Sequence, residues 1–442
     1  MTGPDPARAL ALRLAAALRD ACELVFLVGG CVRDRLLHLP VKDYDLATSA
    51  TPARLKELFP RALEVGAHFG VVLLREGNAE VQIATFRSDH AYRDGRRPEA
   101  VTFESDPRQD VLRRDFTFNA LLENPFTGDI IDHVNGLADL HARRLRAIGD
   151  PVQRFTEDRL RLLRAIRFAA RLGFEIEPST WDALTRLAPA ITSVSAERVR
   201  DELSRILTEG GARRGFELLD ASGLLDILLP EAARMKGVPQ PPEFHPEGDV
   251  WTHTLLLLEN LPPAAPLPLA LAALLHDTGK PPTFTVTDRI RFNGHAEAGA
   301  RIAARVLQRL KYPSAVIDAT VSLVKNHMRF MDLPRMGAAA RKRFFRLPNF
   351  DHQLELYRLD LLGGLRPLDG YELARRLRAE LTEEQLRPAP LLTGDDLIEL
   401  GFTPGPLFKQ ILDTLEEHQL EGTLSTRDEA LRFVHTHFDR AG

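Results

Sequence analysis

Cysteine is scarce in this chain, with two in 442 residues. That excludes a disulfide-stapled secreted scaffold and makes a reducing cytoplasm the expected compartment. Long apolar runs are missing as well. None reaches the roughly 18 residues that a membrane-spanning helix needs, so no membrane partner is expected. The first twenty residues, MTGPDPARALALRLAAALRD, space Asp5, Arg8, Arg13 and Arg19 at helical intervals. They read as an amphipathic helix, not a signal peptide. Neither sign of charge dominates: 58 basic residues face 62 acidic ones, a formal net charge of -4. A histone-like chain that grips nucleic acid by bulk charge is excluded, whereas an enzyme with local positive charge is not. Internal repeats and low-complexity tracts are also lacking, which removes solenoids.

At roughly 100–200 residues per domain, the length calls for two to four domains. Residues 24–75 alternate strand-like and helix-like segments, LVFLVGG, CVRDRLLHL, DYDLAT, PARLKELF and VGAHFGVVLL, and AEVQIATF reads as one more strand. From about 156 to 230 the apolar period is helical. The Pro-rich stretch GVPQPPEFHPEGD breaks it, residues 249–380 are helical again, and RPAPLLTG opens a short tail. The expected fold class is multidomain α+β. An α/β head (1–150) precedes three mostly helical pieces: a neck (151–235), a histidine-bearing domain (236–380) and a tail (381–442). A short strand pair is expected around TVTDRIRFNG.

The first chemical constellation is LVGGCVRDRLLHLPVKDYDLAT. Gly29 and Gly30 end a strand and open a helix, where backbone can approach an anion closely. Arg33, one turn in, can hold a phosphate. Asp43 and Asp45 follow at spacing two, which on a strand points both carboxylates to one side. Within a β–α–β-like unit, that combination suits a two-Mg²⁺ phosphoryl-transfer site. Taken alone, a GG is usually a turn and a DxD usually a solvated loop.

The second constellation is EDRLRLLRAIRFAARLGF, residues 157–174, read as one amphipathic helix. Leu163, Ile166 and Ala170 form its apolar stripe, with Glu157, Asp158, Arg161, Arg164 and Arg171 mainly opposite. Asp158 and Arg161, at i and i+3, are expected to be neighbours. Nine arginines face three acids between Arg143 and Arg171. Such a helix is either a solvated face or a carboxylate–guanidinium pair that reads the polar edge of a base.

These motifs, together with LRRDFTFNAL at 112–121, resemble the CCA-adding tRNA nucleotidyltransferase and bacterial poly(A) polymerase family, class II of the polymerase β-type superfamily. The resemblance implies a nucleotidyltransferase that extends the tRNA acceptor end from CTP and ATP without a nucleic-acid template. Asp43 and Asp45 would hold two Mg²⁺ ions, one activating the 3′-hydroxyl and one steadying the triphosphate. Gly29, Gly30, Arg33 and Arg114 would lie along the phosphates, and Asp115 would meet the ribose 2′-hydroxyl. Asp158 and Arg161, with Arg164 beside them, would bind the nucleotide and read its base, and Glu157 would brace that pair. FRSDHAYRDGRRPEAVTF resembles the mobile loop of members that add the terminal A, with Arg93, Arg96 and Arg97 in place. Phe118 stands where a smaller aliphatic is commoner and is expected to be a packing change.

A further set of motifs, HPEGDVWTHTLL, ALLHDTGKPPTF, FNGHAEAGA, VKNHMRF and YRLDLLGG, combines imidazoles and carboxylates, donors for a divalent transition metal or Mg²⁺. Their order resembles an HD phosphohydrolase domain. His253, His276, Asp277 and Asp360 are the implied ligands of Mg²⁺, Mn²⁺ or Ni²⁺. His295 and His327 would serve a second metal or a phosphate, and His245 and His352 would lie at the surface or rim. The implied activity is hydrolysis of phosphate ends such as 2′,3′-cyclic phosphates. In the tail, GFTPGP reads as a turn between two short helices. The rivals are a poly(A) polymerase, a CC-only or A-only adder, and an HD phosphohydrolase whose head merely binds RNA. A nucleotide-sensing regulator is a more distant one.

Overall fold

The computed structural model describes residues 5–65, 70–92, 98–243 and 245–438. The chain divides into two compact units, Met1–Pro230 and Glu231–Gly442.

In the first unit the N-terminal helix Pro6–Asp20 forms as expected. Asp5 caps it by accepting from the Ala7 N–H, and Leu10, Leu14 and Leu18 make its buried face. The strands that follow include β1 (Val25–Val28), β2 (Tyr44–Thr48), β3 (Leu63–Glu64), β4 (Val71–Glu76), β5 (Ala79–Thr85), β6 (Arg87–Tyr92), β7 (Pro98–Phe103), β8 (Leu122–Glu123) and β9 (Ile130–Ile131). Seven form one sheet in the order β3-β4-β5-β2-β1-β8-β9. Among the described strands of this sheet, only β2 and β5 pair in parallel. Phe26, Val28, Ala47, Phe86 and Leu122 build a core on this sheet. β6 and β7 pair separately. The segment joining them, with Arg93, Arg96 and Arg97, lies outside the described residues.

The expected β–α–β-like unit differs in one respect. β1 and β2 are antiparallel neighbours, with Val28 opposite Asp45. The intervening helix, Gly30–Leu36, has seven residues and rises only about 10 Å. It is too short to carry the chain back along the sheet to a parallel neighbour. Antiparallel pairing sets the end of β1 beside the start of β2, and so the glycine turn beside the paired carboxylates.

The expected single helix over 157–174 is two helices, Pro151–Glu157 and Arg161–Leu172. Asp158 between them is extended (φ -140, ψ 103). Its carboxylate accepts from the Leu160 N–H at 3.1 Å and its carbonyl from the Arg161 N–H at 3.0 Å. Asp158 therefore opens the turn that leads into the second helix instead of riding on the first. Leu163, Ile166 and Ala170 are buried as expected. Helices Pro178–Leu187, Ala196–Thr208 and Ala212–Ala221 complete the neck.

The second unit is helical around Leu267–Leu275, which is apolar on every side and buried from Leu269 onward. Helices Val250–Glu259, Ser314–Asn326 and Phe350–Gly363 pack on it. The short strand pair is present as Thr285–Val286 with Ile290–Arg291. The central helix ends directly on His276 and Asp277. There Gly279 lets the following turn press on helix His295–Arg309, because a Cβ would fall 2.0 Å from the His295 carbonyl oxygen. In the tail, GFTPGP joins Gly394–Glu399 to Pro406–Glu421. The second of these has 16 residues, not the short helix expected. Its Ile411 and Leu415 join Leu397, Phe402 and Val434 in a core of their own, which rewards a longer helix.

Candidate active site and candidate metal centre

A cleft of about 630 Å³ in the first unit is lined by Gly29, Gly30, Arg33, Asp43, Asp45, Arg114, Asp115, Asp158, Arg161 and Arg164. The head and neck residues expected to bind metal or nucleotide, outside the undescribed loop, therefore meet at one place, whereas Glu157 and Phe118 do not line it. Gly29 holds a positive φ of 73° at the end of β1, a backbone conformation that side chains disfavour. Ten arginines and lysines line the cleft against six acids, so it suits a polyanion.

The six acids fall into two classes. Asp34 is held by Arg33 and Arg171, Asp115 by Arg164 at 2.6 Å, Asp158 by Arg198 at 2.9 Å, and Glu209 by Arg167 at 3.0 Å. Asp43 and Asp45 have no hydrogen-bond or ion-pair partner for their carboxylates among the described residues. Burial pushes the Asp45 carboxyl up to about 6. Arg114 opposes that shift and neighbouring Asp43 adds to it. Two adjoining carboxylates left uncompensated amid arginines form an all-oxygen donor set, which fits a hard divalent cation such as Mg²⁺. Burial would raise the Asp115 carboxyl too, but Arg164, Arg161 and the Phe116 N–H hold it down at about 2.

The arginines are more committed than the sequence suggests. Arg33 is buried, bonding Asp34 and the Asn119 side-chain oxygen at 2.7 Å each. Arg114 is fixed by Asp110 at 2.8 Å. The expected Asp158–Arg161 pair is not made. Arg161 donates to Glu157 at 2.7 Å and to the carbonyls of Arg154 and Arg113. The break at Asp158 turns that carboxylate towards Arg198 on the next helix but one. Glu157 does brace Arg161, and Arg154 with it. Phe118 is fully buried between Phe116, Phe168 and Phe174, a packing residue as expected. Sequence reasoning missed Asp110, Asn119, Arg198 and the buried Arg167–Glu202 pair. Only Asp110 carried a local signal, at i,i+3 and i,i+4 from Arg113 and Arg114.

In the second unit His253, His276, Asp277 and Asp360 converge. His253 Nε2 lies 3.0 Å from Asp360 Oδ1 and 4.0 Å from Asp277 Oδ2, and His276 Nε2 lies 3.2 Å from Asp277 Oδ2. His295 and His327 stand on the other carboxylate oxygen of Asp277, at 3.8 and 3.9 Å, with their Nε2 atoms 3.3 Å apart. Three of these residues, His253, His276 and Asp277, are almost wholly buried. His276 Nε2 and Asp277 Oδ1 lack hydrogen-bond partners, whereas Asp277 Oδ2 is ion-paired with Lys280. Orphaned buried donors and acceptors of this kind call for an ion or water. The mixed N/O set fits a divalent transition metal.

Burial alone would lower the His253 pKa, but hydrogen bonds to Asp360 and Glu247 and the charges of Asp360 and Asp277 raise it to about 9. Burial, with the charge of His276, takes His327 down to about 3. His245 lines the adjoining 520 Å³ cavity, with a mostly buried side chain whose Nδ1 lies 2.8 Å from Glu247, and His352 is half-buried. Glu247, Lys280, 2.7 Å from Asp277, and Arg366 on Asp360 were not anticipated. No helix among the described residues is long and apolar enough to cross a membrane.

Three family profiles match the chain in order: "Poly A polymerase head domain" over residues 25–146, "Probable RNA and SrmB- binding site of polymerase A" over 173–236, and "HD domain" over 249–386. The crystal structure of the Bacillus stearothermophilus CCA-adding enzyme in complex with CTP is similar at a TM-score of 0.74 and 26% identity, covering 98% of both chains. The Thermotoga maritima CCA-adding enzyme complexed with tRNA_CCA shares the fold, at a TM-score of 0.61 and 20% identity, over 98% of this chain and 96% of that one. A CCA-adding enzyme of Limosilactobacillus fermentum is 40% identical over 212 residues, 48% of this chain and 52% of the relative. Over alignments of that kind the chain spans about half the length of the relatives it matches. The CCA-adding enzyme of Enterococcus faecalis is 30% identical over 417 residues, 92% of this chain and 90% of the relative. On that full-length similarity and the profiles in register with it, the chain belongs to the CCA-adding enzyme family.

Proposed function

We propose that this protein is a template-independent tRNA nucleotidyltransferase that adds C and A to the acceptor end from CTP and ATP in the cytoplasm. One observation carries the reading: Asp43 and Asp45 are the two acids in an arginine-lined cleft that have no cationic partner among the described residues. Asp43 and Asp45 would hold two Mg²⁺ ions, which when bound neutralise the triphosphate and lower the pKa of the attacking 3′-hydroxyl.

The remaining work is positioning, as in phosphoryl transfer generally. Gly29 and Gly30 allow the triphosphate close to the backbone. Arg114 faces it from a fixed position, while Arg33 contributes a charge locked in place by Asp34 and Asn119. Asp115, aligned by Arg164, accepts from the ribose 2′-hydroxyl. Asp158 and Arg161 read the base edge, Asp158 as acceptor and Arg161 as donor, each oriented by a different partner. Arg93, Arg96 and Arg97 help bring in the terminal A. The similarity to a CTP-bound relative supports this arrangement. In the second unit, His253, His276, Asp277 and Asp360 would hold Mg²⁺, Mn²⁺ or Ni²⁺ for hydrolysis of a phosphate end.

The test is to supply tRNA transcripts ending before the tail, after C and after CC, each with CTP, ATP or both. Completion of CCA and no further growth is expected. Incorporation of C alone, or an A tail that keeps growing, would assign a CC-only adder or a poly(A) polymerase instead. No incorporation at all would leave the head as a binding module.

A further inference from the structure

We propose that Glu247 is the positioning residue of the histidine cluster. It accepts the Nδ1–H of His253, fixes the tautomer whose Nε2 faces Asp277 and Asp360, and so sets how tightly the site holds a divalent cation. The inference rests on the reading of this cluster as a cation site.

The geometry is specific. Glu247 Oε1 lies 2.7 Å from His253 Nδ1 and 2.8 Å from His245 Nδ1. These are lengths of charge-assisted hydrogen bonds. The opposite edge of the His253 ring, Nε2, meets Asp360 at 3.0 Å. The imidazole therefore separates Glu247 from the other donors, and Glu247 cannot ligate the same ion. Its side chain is 2% exposed, beside a His253 side chain at 0%. Its second oxygen, Oε2, is buried with no hydrogen-bond partner. A buried carboxylate with one oxygen idle is costly as mere packing. Aligning a ligand imidazole offsets that cost, because an outer carboxylate sets ring orientation and raises ligand basicity. The carboxylate is itself anchored by its chain neighbours. Asp249 caps helix Val250–Glu259 through the Thr252 N–H and also accepts from the Gly237 N–H, so the segment bearing Glu247 is tied to the helix bearing His253.

The experiment is Co²⁺ titration of the full-length protein, followed by its visible spectrum, for the wild type and for Glu247→Gln, Glu247→Asp, His245→Gln and His276→Ala. Subtracting the His276→Ala titration isolates the cluster from the head. Glu247→Gln should bind roughly 10- to 100-fold more weakly, with an altered spectrum. Glu247→Asp, which keeps the carboxylate, should recover most of the affinity. It also keeps the test open if the Gln variant is unstable, which the thermal melt and nucleotide addition by the head would reveal. His245→Gln, which leaves the Glu247–His253 bond, should stay within about threefold of wild type. Wild-type affinity and spectrum in Glu247→Gln would overturn the positioning role alone. Equal Co²⁺ stoichiometry in wild type and His276→Ala would overturn the cation site and the positioning role with it.

Discussion

The two clusters solve the same problem, holding charge out of water, in opposite ways. In the head, two carboxylates stand uncompensated in an open cleft whose other acids are all paired, and their donors are oxygen only. In the histidine cluster each carboxylate is already tied to an imidazole or a cation, and nitrogen donors dominate. The first arrangement leaves negative charge that would suit a hard cation, in the proposed function one arriving with a triphosphate. The second is largely preassembled and suits a more tightly held, softer ion. The contrast also appears in proton affinity: Asp45 is pushed up to about 6, whereas Asp277 and Asp360 are held below the ordinary carboxylate range by their histidine, Lys280 and Arg366 neighbours despite burial.

The largest effect that separates the two is loss of one without the other. Changing His276 and Asp277 to Ala should abolish Co²⁺ binding at the cluster and any phosphatase activity. Nucleotide addition should stay within about twofold, read by gel extension of a tRNA transcript. Next in size, Asp158→Ala or Arg161→Ala should reduce discrimination between CTP and ATP by roughly 10- to 100-fold, the value of a good polar base contact. Arg198→Ala should do the same at one remove, because Arg198 holds Asp158. A pure fall in rate with discrimination intact would separate those residues from base reading.

A smaller effect follows from Asp45. In the proposed role its carboxyl would have to be ionised to hold Mg²⁺, and burial pushes it up to about 6. At subsaturating Mg²⁺, addition should therefore fall about tenfold per pH unit below 6, and excess Mg²⁺ should reverse the fall. The smallest concerns stability. The Asp115 pKa is depressed to about 2, so its contribution is present above the ordinary aspartate value near 4 and is lost as pH falls through 2. Asp115→Asn should cost on the order of 1–2 kcal/mol at neutral pH, allowing for solvent at the exposed side of Arg164. The wild-type advantage should vanish in acid, as followed by urea melts.

The sequence carried the site's composition better than its wiring. Gly29, Gly30, Asp43 and Asp45 were legible because turn chemistry and the period of a strand are local. So were the amphipathic stripe of Leu163, Ile166 and Ala170 and the strand pair at 285–291. The antiparallel pairing of β1 with β2 was not, because strand direction depends on how far the connecting helix can reach. The Asp158–Arg161 expectation failed for a local reason of the opposite kind: aspartate readily opens a turn, and it ended the assumed helix. Arg198 and Glu202 lie some 40 residues from their partners, beyond the range of any spacing rule. Glu247 is six residues from His253 in sequence, but only the fold shows that it grips the imidazole.

The central claim is that nucleotide transfer belongs to Asp43 and Asp45 and is chemically separate from the histidine cluster. The direct measurement is the Asp43→Ala, Asp45→Ala double variant, assayed in parallel for CCA addition to a tail-less tRNA and for Co²⁺ binding at the cluster. Addition should disappear, by at least a thousandfold as a rough floor for removing both metal-holding groups, with cluster affinity unchanged. Retained addition, or loss of both properties in a folded protein, would contradict that division.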